Sequence, residues 1–213
     1  MSVPLFLFDF DKTLYAYDFR KRLPRLAELT GVSQYALAKR WWEEGHEAAA
    51  EAGEYLSSEE YLAAFNEVTG GRLTADGWRE ARRAAMTPIP GSIAALRRAA
   101  EIGTVSLLSN NPIIFRDSLH QLAPEVAGLL GENDLVSAVL GARKPEARIY
   151  TRALSRFGIA AEDTLFIDDS GANVRGAEAV GITGFQLFEV DGGYNTGALV
   201  DAIESFATER ADA

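Results

Sequence analysis

The sequence predicts an α/β fold, a Rossmann-like parallel sheet with helices on both faces, plus an inserted small all-helical unit. Three observations carry that prediction. Short apolar runs at residues 3–8, 104–108 and 164–167 each end in polar or acidic side chains, as strands buried on both faces do. Helical patterns alternate with strand patterns from Ser92 onward, which implies a parallel sheet wound on both faces. Residues 18–86 interrupt that alternation, because they read as helical throughout and carry no strand pattern. The expected division is therefore a core of residues 1–17 and 87–213 with an insertion of residues 18–86.

Taken in order, the first strand covers residues 3–8. Ser33 is suited to cap a helix running through Trp41 and Trp42 toward Ala52, Ser57 with Glu60 makes a capping box, and Thr74 starts a third helix ending near Met86. Thr87-Pro88-Ile89-Pro90-Gly91 then breaks the helical pattern as a return linker. A helix carrying Ile93, Leu96, Ala99 and Ala100 stops at Gly103, and the strand after it ends in Ser109-Asn110-Asn111-Pro112. A helix and a short strand near Leu135-Val136-Ser137 follow. Pro145 is expected to open the helix with Ile149, Tyr150, Leu154 and Phe157. The strand at 164–167 runs into Asp168-Asp169, and a helix at 172–180, a strand at 183–188 and a helix at 197–206 complete the chain.

Composition narrows the chemistry. The chain has 213 residues, 47% hydrophobic and 24% charged, which suits a globular protein rather than a disordered one. Its 31 acidic against 21 basic residues disfavour nucleic acid or an anionic membrane as the main partner, so an anionic ligand must be attracted locally. The absence of cysteine removes thiol catalysis and thiolate metal sites, and only His46 and His120 offer imidazole. A metal here would be held by oxygen. No stretch approaches the twenty or so apolar residues of a spanning helix, and a cytoplasmic protein is expected.

Three strands end in polar groups: Asp9 and Asp11, then Ser109 and Asn110, then Asp168 and Asp169. Parallel strands place their carboxyl ends on one edge of the sheet, so these distant residues, with Lys144, can meet in one crevice. Each type has a task in phosphoryl transfer. One carboxylate can attack phosphorus while a second protonates the departing alkoxide, roles that Asp9 and Asp11 can divide. A hard cation such as Mg²⁺ would offset the repulsion of nucleophile and phosphate, with Asp9 and Asp169 among its oxygen ligands. Lys144 supplies a point charge, and Ser109 and Asn110 can donate to the equatorial oxygens.

This ordered set resembles the haloacid dehalogenase superfamily, whose four motifs are matched by Asp9-Phe10-Asp11-Lys12-Thr13, Ser109, Lys144-Pro145 and Asp168-Asp169. The resemblance implies a nucleophile at Asp9, an acid/base at Asp11, phosphate contacts from Ser109 and Lys144, and Mg²⁺ on Asp9, the Asp11 carbonyl and Asp169. It further implies a metal-bound water at Asp168, Asn173 facing the phosphate or metal shell, and residues 18–86 as a type-1 cap. The stretch around Arg143-Lys144-Pro145-Glu146 and the small cap are similar to the subgroup of alpha-glucose-1-phosphate phosphatases. Lys12 departs from the glycine that phosphatases of the superfamily commonly carry. The function implied is a Mg²⁺-dependent phosphatase acting on a small phosphorylated metabolite, with phosphomutase, haloacid dehalogenase and non-catalytic binding module as alternatives.

In the insertion, Trp41 and Trp42 read as packing residues, and Arg20, Lys21, Arg22 and Arg25 as a solvated helical face. His46 reads as a surface histidine, and His120 as part of a helix on the core.

Overall fold

The computed structural model describes residues 3–211; the first two and last two positions of the expected core lie outside them. Strand β1 (Leu5–Phe8) leads to β2 (Tyr15–Tyr17), then to helices α1 (Phe19–Thr30), α2 (Gln34–Leu37), α3 (His46–Glu51), α4 (Ser58–Thr69) and α5 (Ala75–Ala85). Strand β3 (Met86–Pro88) closes that stretch. Helix α6 (Pro90–Ile102), β4 (Thr104–Leu107), α7 (Ile113–Leu122), α8 (Pro124–Leu130), α9 (Ser137–Leu140) and α10 (Ala147–Phe157) follow. The chain finishes with β5 (Thr164–Asp168), α11 (Gly171–Glu178), β6 (Thr183–Gln186), the two-residue strands β7 (Glu189–Val190) and β8 (Gly193–Tyr194), and α12 (Thr196–Ala211).

The main sheet has the order β4-β1-β5-β6 and every pairing in it is parallel. Strand β1 lies at its centre, and its side chains alternate between two cores. Phe6 and Phe8 enter one, while Leu5 and Leu7 enter the other beside Phe166 and Tyr150. Burial on both faces makes the strand apolar at every position, each such side chain contributing about 1.5–3 kcal/mol. Phe8 stands in register with Leu107 on one side and Ile167 on the other, so the three strands run out level. The residues that follow them are therefore brought together at one edge.

The helical stretch is joined to the core by an antiparallel pair that the sequence reading missed: β2 leads out and β3 leads back, Tyr17 opposite Met86. Three-residue strands are too short to show a period. Within the stretch, Trp41, Tyr61, Phe65 and Trp78 are all buried. They surround Glu47, which accepts hydrogen bonds from the Trp41 indole N–H at 2.5 Å and the Tyr61 hydroxyl at 2.7 Å. Burying this carboxylate is tolerable because Oε2 has two donors and the Arg22 guanidinium stands 4.0 Å from Oε1.

Several local expectations change. The helix capped by Ser33 is not continuous to Ala52: α2 passes into a π-helical turn at Ala38–Glu43, and Gly45, at φ 90°, ends it before α3. Ser57 does accept from the Glu60 N–H, but the Glu60 carboxylate takes the Leu56 N–H instead of that of Ser57, leaving half a capping box. Near Val136 the expected strand is a single bridge to Ser109, since Ser137 already begins α9. Pro145 stands outside its helix, which starts at Ala147 after the extended Glu146. The strand expected at 183–188 stops at Gln186.

The basic run on α1 divides. Arg20 is exposed and pairs with Asp18, and Arg25 pairs with Glu28 and Glu80 at the surface. Arg22 is instead 3% exposed. Its guanidinium lies between the Trp42 and Trp78 rings, at 5.7 and 5.2 Å, and donates to the Tyr17 hydroxyl at 3.0 Å. A solvated face holds for its neighbours and fails for Arg22. Trp41 and Trp42 both pack as expected, Trp42 edge-on to Phe19 with ring centroids 4.9 Å apart, and the half-buried Trp42 also lines a cavity. His46 stacks on Trp41, with ring centroids 5.5 Å apart.

Candidate active site

Beyond the carboxyl ends of β1, β4 and β5 lies a cavity of about 250 Å³, lined by Asp9, Asp11, Lys12, Ser109, Asn110, Lys144, Asp169, Ser170 and Asn173. Eight of these nine stand among the residues the sequence motifs single out, Ser170 being the addition. Asp168 sits just behind them, fully buried.

The strand register explains the gathering. Asp9 follows β1, and its N–H donates to the Ile167 carbonyl at 2.8 Å, tying it to β5 one residue before Asp168. Lys144 arrives on a loop fastened by Asn110, whose side chain accepts from the Lys144 N–H at 2.9 Å and donates to the Lys144 carbonyl at 3.0 Å. Its ammonium then reaches Asp9 Oδ1 at 2.7 Å and Asp168 Oδ2 at 2.6 Å. Asn173, one turn into α11, donates to both Asp168 oxygens at 3.0 and 3.1 Å. The side chains of Asn110 and Asn173 thus hold the charged groups in place.

Charge balance here is uneven. One cation serves two buried carboxylates, so burial pushes Asp9 up to about 7 despite the opposing Lys144, with Asp168 adding to the rise. Burial pulls Lys144 down, but the two carboxylates outweigh it and hold the ammonium above the ordinary lysine range. Asp169 is raised by burial and by Asp168, against the pull of Lys12 and Lys144. Asp9, Asp168 and Asp169 each offer an oxygen within 4.8 Å of the others. An excess of carboxylate oxygen over nearby cations, with no softer donor in the set, suits a hard divalent ion.

Asp11 lies to one side of this cluster. Arg82 of α5 donates through Nη2 to both of its oxygens at 2.6 Å, and Asn111 reaches Asp11 Oδ2 at 3.3 Å and Ser109 Oγ at 3.0 Å. Neither Arg82 nor Asn111 was singled out from sequence. Arg82 belongs to a helix that also carries Arg79 and Arg83, and local pattern does not say which arginine turns inward. Asn111 had a signal, its place beside Ser109 and Asn110 after β4.

Lys12 takes φ 61°, a left-handed conformation that favours glycine. It borders the 250 Å³ cavity and a second one of about 470 Å³, which lies between the helical stretch and the core and is walled by Tyr17, Phe19, Arg22, Trp42, Glu51 and Arg82. Asp11 and Asn110 also belong to both. The smaller space is lined wholly by polar and charged residues, whereas the larger adds the aromatic side chains of Tyr17, Phe19 and Trp42.

Comparison with known proteins places the chain in a family and a fold. A haloacid dehalogenase-like hydrolase profile matches residues 3–181. Phosphatase MT3486 of Mycobacterium tuberculosis (strain CDC 1551 / Oshkosh) is 26% identical over 204 residues, 87% of each chain. Among solved structures, a predicted HAD-like family hydrolase from Porphyromonas gingivalis superposes with a TM-score of 0.75 at 21% identity, over 95% of this chain and 97% of its own. The HAD family enzyme BT-2542 of Bacteroides thetaiotaomicron, crystallised as wild type with magnesium and inorganic phosphate, gives 0.68 at 20% identity over 87% and 94%. A 2-haloacid dehalogenase from Pseudomonas syringae pv. Tomato DC3000 shares the fold too, at 0.65 and 16% identity over 97% and 99%. With most of its length inside the profile and the motif residues gathered at one sheet edge, the chain belongs to the haloacid dehalogenase-like hydrolase family.

Proposed function

We propose that the protein is a Mg²⁺-dependent phosphatase that hydrolyses a small phosphomonoester through an aspartyl-phosphate on Asp9. The observation that carries this reading is the oxygen cluster of Asp9, Asp168 and Asp169, of which Asp9 and Asp169 line the same cavity as Ser109 and Lys144 and Asp168 lies buried behind them. Asp9, the Asp11 carbonyl and Asp169 would hold the ion, with Asp168 supporting it from behind. Mg²⁺ bound there supplies positive charge against the repulsion of an anionic nucleophile and an anionic phosphate. A carboxylate oxygen of Asp9 attacks phosphorus, the bond to the leaving oxygen breaks, and Asp11 gives that oxygen a proton. Water then attacks the phosphorus, Asp11 takes its proton, and Asp9 departs as a carboxylate. Ser109 and Lys144 stabilise the equatorial oxygens, and Asn110 and Asn173 border the same space.

Residues 18–86 serve as the cap in this reading, with residues 1–17 and 87–213 as the catalytic core. The larger cavity under the cap takes the leaving group. Its aromatic and hydrogen-bonding walls suit a sugar, so a sugar phosphate is the favoured substrate class and alpha-glucose 1-phosphate the first to try. A dehalogenase needs neither the Asp11 acid nor the paired acids of β5, which count against that alternative. No described helix is long and apolar enough to cross a membrane, and a cytoplasmic metabolite is the favoured partner.

A screen of phosphorylated metabolites for phosphate release with Mg²⁺ tests the proposal. Turnover should vanish in excess chelator and in Asp9→Asn. Substantial turnover in either case overturns it.

A further inference from the structure

Arg82 is the one cap residue whose side chain meets a motif carboxylate through two contacts among the described residues, with Nη2 at 2.6 Å from each oxygen of Asp11. Its side chain is 3% exposed while that of Asp11 is 24% exposed, so the contact sits at the buried rim of the cavity. The guanidinium is held between the Tyr17 ring at 4.5 Å and the Phe115 ring at 4.8 Å, one beside the cap junction and one on α7 of the core. Its Nε is buried without a hydrogen-bond partner among the described residues. Arg22 shares this ring-stacked, unpartnered Nε, but Arg82 alone of the two donates to a motif carboxylate. This one is aimed by ring stacking, and its hydrogen bonds go to Asp11.

Both Asp11 oxygens accept from the same nitrogen, so the contact fixes the plane of the carboxyl group as well as its distance from the cap. We propose that Arg82 is a cap-borne positioning residue, which fixes the Asp11 carboxylate for the second half-reaction, the hydrolysis of the phosphorylated Asp9. In that step the water oxygen bonds to phosphorus, the bond from phosphorus to the Asp9 oxygen breaks with its electron pair left on Asp9, and the water proton passes to Asp11. The inference rests on the acid/base reading of Asp11. It adds that this reading depends on a residue delivered by the cap, so that the water step proceeds with the cap seated.

The test uses p-nitrophenyl phosphate with Mg²⁺ and rapid-quench detection of both p-nitrophenol and the phosphorylated protein. This leaving group needs little protonation, so the first half-reaction should survive the loss of a proton donor. Arg82→Gln is expected to release a burst of p-nitrophenol close to one per active site and then turn over about 10–100-fold more slowly than wild type, the scale of a misplaced catalytic group. Phosphorylated protein should accumulate. Arg82→Lys, which keeps a donor cation, should recover part of the decay rate, and Asp11→Asn should show the same burst. Arg82→Gln that folds as wild type, yet slows both halves equally or neither, overturns the positioning role while Asp11 keeps its own. An Asp11→Asn protein whose phosphorylated form decays at the wild-type rate overturns the acid/base reading itself, and the role of Arg82 with it.

Discussion

Lys144 and Asp9 stand 135 positions apart in sequence and meet as a buried ion pair at 2.7 Å. The same ammonium serves Asp168, so its removal strands two carboxylates at once. Lys144→Met is expected to cost about 3–5 kcal/mol in unfolding stability, the usual penalty for leaving buried charge unpaired. Adding Asp9→Asn to it should return part of that loss, since one of the two orphaned charges is then gone. Urea titrations of the single and double variants measure the coupling.

Glu51 of α3 pairs with Arg143 of the core, yet burial pushes its carboxyl up to about 7, with Glu47 adding to the rise and Arg143 opposing it. The folded protein thus holds a proton that the unfolded chain releases above its ordinary value of 4.5. Stability should fall as pH rises between those two values and level off above the upper one. Glu51→Gln should remove that slope and be the more stable protein at pH 8, by on the order of 1–3 kcal/mol, with no advantage at pH 4. A Glu51→Gln protein less stable than wild type at pH 8 would show that the pair with Arg143 outweighs burial.

Lys12 carries the strain of φ 61° beside Asp169 and the mouth of the site. Lys12→Gly relieves that strain and should raise stability by about 0.5–1 kcal/mol, the left-handed penalty less the entropy a glycine loses. It should also raise KM for an anionic substrate, and the increase should shrink in high salt, because an exposed ammonium acts through screened attraction. Thermal unfolding and a salt series of kcat/KM read the two effects separately.

The neighbouring tryptophans of the π-helical turn should part company on mutation. Trp41 is fully buried and donates to Glu47, so Trp41→Ala should cost about 3–5 kcal/mol and leave that carboxylate short of a donor. Trp42 lines the larger cavity. Its alanine variant should fold and should change kcat/KM among sugar phosphates by far more than for p-nitrophenyl phosphate, which makes few cap contacts. Equal losses on all substrates would remove Trp42 from substrate selection.

What the sequence made legible follows from how the sheet is built. Asp9, Ser109 and Asp168 each come directly after an apolar run, with Asp169 next in line, and parallel strands in level register deliver such residues to one edge. Chemistry and topology therefore left their marks on the same short segments. Arg22 and Arg82 left none. An arginine on an amphipathic helix has the same sequence neighbourhood whether it faces water or a seam, and only the packing of α1 against α5 and the core decides. Asn110 and Asn173 were recognised as part of the site, but their side chains turn toward Lys144 and Asp168, a choice made by partners far away in the chain. The β2 and β3 pair escaped notice because three residues are too few to carry a period.

That small pair has an evolutionary consequence. Its strands lie side by side, so the points where the chain leaves and re-enters the core are about 5 Å apart, as antiparallel partners are. A two-residue turn can bridge such a gap. A unit of another size with equally close ends fits the same junction, provided it again covers the apolar side chains of α7 on which α4 and α5 pack. On the proposed reading of the insertion as a cap, such an exchange would change selectivity while the strand register stays as it is, provided the newcomer again brings a guanidinium to Asp11.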